Sequence, residues 1–309
     1  MAAHLVSPAQ LVSIVGRGIV SGATPPHLAP LPGDRDAEVI TVDDLGFTRG
    51  DGVFDATRLV TAPDGTSTVD HLDRHLARFA RSIAGMDGDP LDEPTWRALI
   101  DEAVTAWTVP GEAIVKMMWT RGQESFGSAP TQALTITPIS EGALRLRHGI
   151  GVTLLSRGSS AYSHRDARWL LGGVKTLSYG VNMAVKREAA RRGCDEVLLT
   201  STDGYVLEGP NAALITLHGV ADDRPVLRST PIEGTGVLAS ITQAVLFEAA
   251  EAEGVATELV LQTPEQVCAA DAAWFVSSVR GAAPVTRFDE QPMPQSPEWT
   301  TRVRGWIGF

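Results

Sequence analysis

The sequence predicts an α/β protein of two domains, on three observations. At 309 residues the chain is longer than one domain usually runs. Apolar stretches of period two and of period 3.6 both recur along it. A turn-rich break at Pro138-Ile139-Ser140-Glu141-Gly142 follows a strand-rich first half and precedes a half in which strands and helices mix. The boundaries drawn from this are a smaller N-terminal α+β domain over 1–138, with an irregular lead-in over 1–37. An interdomain linker over 139–145 and a larger α/β domain over 146–309 follow.

Composition narrows the class. A formal net charge of -11 argues against a nucleic-acid surface, which needs clustered positive charge, but leaves room for a small anion held by a few local cations. Cys194 and Cys268 are far apart, with neither metal-ligand spacing nor a disulfide framework, so no metal is expected. The start Met1-Ala2-Ala3-His4 lacks a basic segment leading into an apolar run, and no apolar stretch is long enough to span a bilayer. The expectation is a cytoplasmic protein with no membrane or nucleic-acid partner.

Taken in order, Val39 to Val42 reads as a short strand, and Asp43 to Gly52 as a turn-rich loop feeding a strand over Val53 to Val60. Asp64-Gly65 is a hairpin signal, with Thr66 to Val69 pairing back. From Asp70, a candidate N-cap, Leu72, Leu76, Phe79 and Ile83 recur at helical spacing. A second helix fits Pro94 to Trp107, with Trp96, Leu99, Ile100, Val104 and Trp107 on one face. Ala113 to Thr120 is strand-like but carries Lys116, and Ala133 to Thr137 reads as the last strand of the first domain.

In the second domain Gly151 to Leu155 is a strand, and a polar loop from Ser156 to Arg168 leads to Lys175. The helix after it should turn Val181, Ala184, Val185 and Ala189 inward and end at Arg191-Arg192-Gly193. Glu196 to Thr200 and Tyr205 to Leu207 should form a hairpin around Asp203-Gly204, leaving Glu208 at its end. Ala212 to Leu217 and Val226-Leu227 follow as strands. A helix opens over Leu238 to Gln243, with Ser240 and Gln243 as a capping box, and stops at Gly254. Ala272 to Val279 is a strand, and Trp299 to Ile307 a final helix.

A lysine beside the apolar run Trp169-Leu170-Leu171 could lose solvation, which lowers its pKa and frees the amine for carbonyl chemistry. The N-terminus at Ser240-Ile241-Thr242 offers backbone N–H groups to an anion. Lysines, carboxylates and helix starts are each common. Their combination and order carry the reading.

Lys175-Thr-Leu-Ser-Tyr179, Asp195-Glu-Val-Leu-Leu and Asp203-Gly-Tyr-Val-Leu-Glu208-Gly-Pro resemble the core signature of class IV aminotransferases, the fold-type IV pyridoxal phosphate (PLP) enzymes. The resemblance extends to Arg49-Gly-Asp-Gly-Val-Phe54, His71-Leu-Asp-Arg-His-Leu-Ala-Arg78, Gly236-Val-Leu-Ala-Ser-Ile-Thr242 and Ser277-Ser278-Val-Arg-Gly-Ala-Ala-Pro-Val285, covering the chain from about residue 39. It implies a D-amino-acid-aminotransferase-like fold with a β-barrel-like sheet in the larger domain, the cofactor between the domains, and a homodimer. Lys175 is similar to the Schiff-base lysine that also moves the substrate proton. Glu208 would face the pyridine nitrogen; Arg78, the Ile241 and Thr242 N–H groups and the Ser278 hydroxyl would hold the phosphate. Tyr179 and Asn211 are further cofactor-side candidates. The chain departs from the family pattern at Asp55-Ala56, Asn211-Ala212-Ala213 and Ala239-Ser240, which bears on substrate preference more than on the cofactor.

Within the family, aminodeoxychorismate lyase and the amino-acid aminotransferases share their first steps. Lys116, in Ile-Val-Lys116-Met-Met-Trp-Thr-Arg121-Gly122, resembles the lyase's carboxylate-binding lysine. A cation in an apolar strand needs a partner, which a substrate carboxylate would supply. Against this, the second arginine of some lyases is missing from Gln123-Glu124-Ser125-Phe126. Arg58 and Arg121 are secondary candidates for contact with a small anionic amine substrate. The reading is the lyase, giving 4-aminobenzoate and pyruvate, with a D-amino-acid or branched-chain-type aminotransferase as alternative. A PLP-binding protein without catalysis is the second alternative.

Overall fold

The structure is a computed structural model, and it describes residues 2–7, 10–15, 42–124 and 129–309. It divides into two compact units. One comprises 1–139 together with Val174–Tyr179; the other comprises 140–173 and 180–309.

In the first unit, strands β1 (Ala2–Ser7) and β2 (Gln10–Val15) form an antiparallel hairpin. Helix α1 (Leu45–Arg49), strands β3 (Gly52–Thr61) and β4 (Ser67–Val69), helices α2 (Leu72–Gly85) and α3 (Glu93–Ala106), and strands β5 (Gly111–Thr120) and β6 (Thr131–Pro138) follow. The sheet runs β1-β2-β6-β5-β3-β4, antiparallel throughout. Period two sends Val53 and Leu59 of β3, and Ala113, Val115, Met117 and Trp119 of β5, into a core with Leu76, Phe79 and Ile83 of α2 and Trp96, Leu99 and Ile100 of α3. The opposite face of β3 and β5, bearing Phe54, Ala56, Lys116 and Met118, is only half-buried.

Several expectations change here. The lead-in expected over 1–37 contains the β1–β2 hairpin, because the aliphatic residues flanking Ser7-Pro8-Ala9 extend and pair, and β2 continues onto β6. Of the strand expected at 39–42, residues 39–41 lie outside the described residues, and Val42 sits in a turn. The loop expected over 43–52 holds α1, capped by the Asp44 carboxylate on the Gly46 N–H at 2.8 Å. Asp70 does not cap α2. Its carboxylate accepts from Arg58 Nε at 2.7 Å, and His71 opens the helix in the left-handed region at φ 47° without a side-chain cap.

The second unit contains α4 (Glu141–Arg145), β7 (Ile150–Ser156), α5 (Gly180–Arg191), β8 (Glu196–Thr200), β9 (Ala213–His218), β10 (Val226–Ser229), α6 (Ile241–Ala252), β11 (Ala256–Leu259), α7 (Pro264–Cys268), β12 (Ala272–Ser277), β13 (Gly281–Phe288), β14 (Gln291–Pro292) and α8 (Pro297–Trp306). Its mixed eight-stranded sheet runs β11-β10-β9-β12-β13-β7-β8, with β14 on β13. The linker expected over 139–145 is largely α4, whose first turn the Ser140 hydroxyl caps. On α5 the buried face is carried by Ala189, with Asn182, Val185 and Lys186 half-buried. Val181 is 67% exposed and Ala184 is exposed, so the inward set is shifted from the expected one. Tyr205 to Leu207 forms one bridge, Val206 to Thr200, rather than a strand. Ser240 accepts from the Gln243 N–H as the N-cap of α6; among the described residues the full reciprocal capping box is at Thr263 and Gln266 instead. Among these residues no helix is long and apolar enough to cross a membrane.

Candidate active site

In the first unit the chemistry gathers around one aromatic ring. Only the last three residues of β3 pair with β4, so its start is open to another partner. Lys175-Thr176-Leu177 takes that place. The Phe54 N–H donates to the Lys175 carbonyl at 2.9 Å, the Leu177 N–H donates to the Gly52 carbonyl at 2.8 Å, and Val53 bridges Thr176. Gly52 is required by this approach: a Cβ there would lie 2.5 Å from the Trp119 carbonyl oxygen and 2.8 Å from Leu177 Cδ1. The Lys175 N–H also donates to Ser82 Oγ on α2 at 3.3 Å.

Lys175 Nζ lies 4.6 Å from the Phe54 ring centroid, and Lys116 Nζ lies 4.8 Å from the same centroid. Tyr179 meets that ring edge-on at 5.1 Å. Lys116 reaches it because Ala56 pairs with Lys116 across β3 and β5, which places the lysine on the half-buried face rather than in the core. Burial pushes its pKa down, and among the described residues no carboxylate or hydrogen-bond acceptor meets its ammonium.

Arg78 is buried and donates to Asp55 through Nε at 2.7 Å and Nη2 at 2.8 Å, while His75 Nδ1 lies 2.7 Å from the same carboxylate. Burial alone would raise the Asp55 pKa, but the hydrogen bonds from Arg78 and His75 and their charges outweigh it and hold the carboxyl far below its usual range. Burial lowers the His75 pKa, with Asp55 opposing. A proton on His75 Nδ1 is the one placed to meet the ionised Asp55 carboxylate. Arg58 and Arg121, the secondary candidates for substrate contact, are engaged in ion pairs inside the unit. Arg58 pairs with Asp70 and Glu112, and Arg121 pairs with Asp51 at 3.0 Å.

In the second unit Glu208 follows a short pairing in which the Leu199 N–H donates to its carbonyl at 2.9 Å. Its carboxylate accepts from the Leu238 N–H at 3.2 Å. The turn after it is fixed by Asn182 of α5, whose amide donates to the Pro210 carbonyl at 2.8 Å. Asn211, the next residue, is exposed. Ile241 and Thr242 occupy the first two positions of α6, where a helix provides no carbonyl for their N–H groups. The Thr242 hydroxyl is 3.3 Å from the Ser278 hydroxyl, at the tip of the β12–β13 hairpin. Glu208, Ile241, Thr242 and Ser278 thus lie on two neighbouring loops and one helix start.

The sequence pattern described as Amino-transferase class IV matches residues 52–288. The chain belongs to this family. Over 264 residues it is 36% identical to the bifunctional aminodeoxychorismate lyase / D-amino acid transaminase of Mycobacterium tuberculosis, covering 84% of this chain and 89% of that one. A fold IV-transaminase from Curtobacterium pusillum superposes with a TM-score of 0.79 at 36% identity, over 89% of this chain and 91% of the other. The PLP-bound form of a hypothetical aminotransferase from Mycobacterium tuberculosis gives 0.81 at 33%, over 88% and 94%. As a class IV aminotransferase the chain is a PLP-dependent enzyme, a lyase or an aminotransferase, and the reading without catalysis is set aside.

The residues present fit that cofactor. A half-buried amine suits its aldehyde, a carboxylate anchored by a backbone N–H suits a pyridinium, and a capped helix start with two hydroxyls suits a phosphate dianion. Sequence reasoning gave no role to Phe54, Asp55, His75 or Asn182. Phe54 stood inside a motif whose side-chain partners come from strand register. Asp55 registered only as a departure from the family's glutamate. Arg157 was missed as well: burial lowers its pKa, the charges of Glu208 and Asp203 oppose this, and its Nη1 donates to the Thr235 carbonyl at 2.8 Å.

Proposed function

We propose that the chain is a 4-amino-4-deoxychorismate lyase that releases 4-aminobenzoate and pyruvate, a product set that feeds folate synthesis. The observation that carries this is Lys116: a half-buried ammonium on the same ring as the Lys175 amine, with no carboxylate of the described residues beside it. A substrate carboxylate is the partner such a cation lacks. The name of the Mycobacterium tuberculosis relative supports the lyase and equally a D-amino-acid transaminase, which is the second reading.

When bound, PLP supplies an electrophilic carbon and a ring able to take up an electron pair. In this proposal Lys175 Nζ holds the cofactor and takes the proton from the amine-bearing carbon of the substrate. Glu208 keeps the pyridine nitrogen protonated. The Ile241 and Thr242 N–H groups, the Ser278 hydroxyl and Arg78 hold the phosphate, Tyr179 orients Lys175 through Phe54, and Lys116 holds the substrate carboxylate. Asn211, exposed in its turn, keeps only a backbone place in the cofactor loop. The enzyme is proposed to be cytoplasmic and a homodimer, and the exposed Trp169, Leu170, Val181 and Met183 support the association of two copies.

The test feeds the enzyme aminodeoxychorismate and, separately, a panel of L- and D-amino acids with 2-oxoglutarate. The expected result is 4-aminobenzoate and pyruvate in equal amounts. Efficient amino transfer from D-amino acids with no 4-aminobenzoate would replace the first reading by the second. Purified protein should be yellow, and Lys175→Ala should lose borohydride-reducible attachment of the cofactor.

A further inference from the structure

Serine hydroxyls at a hairpin tip bind an anion well only when the tip is held still. In the β12–β13 hairpin the last paired residues are Ser277 and Gly281, so Ser278-Val279-Arg280 is a three-residue connection, closed by Gly281 at φ 72°. Two arginines grip it from behind. Arg147 donates to the Val279 carbonyl at 2.8 Å. Arg280, 8% exposed, turns its guanidinium into the unit and donates through Nη2 to Glu196, the first residue of β8, which is 1% exposed. Lys186 Nζ of α5 stands 3.5 Å from the same Glu196 oxygen. The Arg280 N–H meanwhile donates to Ser277 Oγ at 3.3 Å, so this one residue fastens both ends of its own turn.

The pair is not an economical way to stabilise a core. Glu196 Oε2 and Arg280 Nη1 are buried and, among the described residues, meet no hydrogen-bond partner, so part of the desolvation cost of each charge goes uncompensated. An apolar pair of similar volume would serve stability as well or better. What the ion pair gives that an apolar pair does not is a fixed direction for the Arg280 side chain, two residues from Ser278.

We propose that Arg280, locked onto Glu196, is a positioning residue that holds the Ser278 hydroxyl at the start of α6 and so sets the enzyme's affinity for the phosphate of its cofactor. This rests on the phosphate-holding role proposed for Thr242 and Ser278. The step is binding only and involves no bond made or broken.

The experiment compares equilibrium affinities of the full-length apoenzyme for PLP and for pyridoxal, which lacks the phosphate. Glu196→Leu/Arg280→Met removes both charges together, and Arg280→Lys keeps the charge but loses the fork. The double variant should melt within a few degrees of wild type and lose about tenfold in PLP affinity, the loss of one charge-assisted hydrogen bond. Pyridoxal affinity should not change. Arg280→Lys should lose less, in PLP affinity alone, and it carries the test if the double variant does not fold. Combined with Ser278→Ala, neither change should add its full effect, since both act through one hydroxyl. Equal losses for PLP and pyridoxal, no loss for either, or full additivity with Ser278→Ala would overturn the proposal. If Ser278→Ala leaves PLP affinity unchanged, the phosphate role falls and the positioning role falls with it. If Ser278→Ala weakens PLP while the Arg280 variants do not, only the positioning role falls.

Discussion

Lys116 shows how much one residue can say once its neighbours are known. A cation whose pKa burial lowers costs stability wherever the folded state must keep it charged. Unfolded lysine holds its proton up to its ordinary pKa of 10.5, so below that value the unfolded state binds more protons, and stability rises with pH through the window between the folded and unfolded values. Lys116→Met should therefore raise Tm at neutral pH, by roughly 1–2 °C. That gain should fade as pH approaches the unfolded pKa, followed by calorimetry across pH. The same substitution should raise KM for an anionic substrate about tenfold or more while cofactor absorbance stays, a split that a purely structural lysine would not give. The sequence made Lys116 conspicuous as a charge in an apolar strand. It could not show that the residue faces Phe54, because the face depends on the Ala56–Lys116 register. Arg58 and Arg121 stood in the sequence as secondary candidates for substrate contact, and the fold shows Asp70, Glu112 and Asp51 beside them.

At the scale of elements, α2 is fastened to β3 by charges as well as by the apolar stripe that the sequence displayed. Asp55 on β3 lies under Arg78 and His75 on α2, and all three are buried. Asp55→Asn leaves the Arg78 charge without its carboxylate and should cost about 3–5 kcal/mol, measured by urea unfolding at pH 7. The pH signs agree with each other. Asp55, depressed in the fold, gives stability that is full above its unfolded value of 3.8 and is lost as pH falls from there toward its folded value. His75, also depressed, is protonated more readily in the unfolded chain, so it too favours unfolding as pH drops below 6.5. Wild type should lose stability in two acid stages, and His75→Gln should remove the upper one; an unchanged profile above pH 5 would contradict this. Helix periodicity was legible in α2 and α3 because one face of each is apolar. The start of α6 was legible because Ser240 caps it locally. At α2 the better partner for Asp70 was Arg58, twelve residues earlier in the chain, and no local signal carries that. Strand β13 was passed over because Gly281-Ala-Ala-Pro has weak strand propensity, and its pairing with β12 and β7 decides instead.

Across the whole molecule, motif order was legible from about residue 39 onward, but the membership of Val174–Tyr179 was not. By sequence Lys175 belongs to the second half; by contact its segment belongs to the first unit, held on the start of β3 by backbone hydrogen bonds that any residue types could make. That placement has a measurable consequence. Lys175 and Arg78 lie in the first unit, and Glu208, Thr242 and Ser278 lie in the second. At a hundredfold excess over Kd, PLP should stabilise the folded chain by about 2.7 kcal/mol, because it binds the native state alone. Hydrogen exchange followed by mass spectrometry should show slower exchange on PLP addition in two places: β3 with 174–179, and the α6 start with the β12–β13 tip. Lys175→Ala removes the amine proposed to hold the cofactor and leaves Arg78, also in the first unit, in place. In that variant PLP should still protect the α6 start through its phosphate, while 174–179 exchanges as in the apoenzyme. Protection that vanishes from both places together would mean that the phosphate groups cannot hold the cofactor without the lysine, and the phosphate role proposed for Thr242 and Ser278 would be wrong.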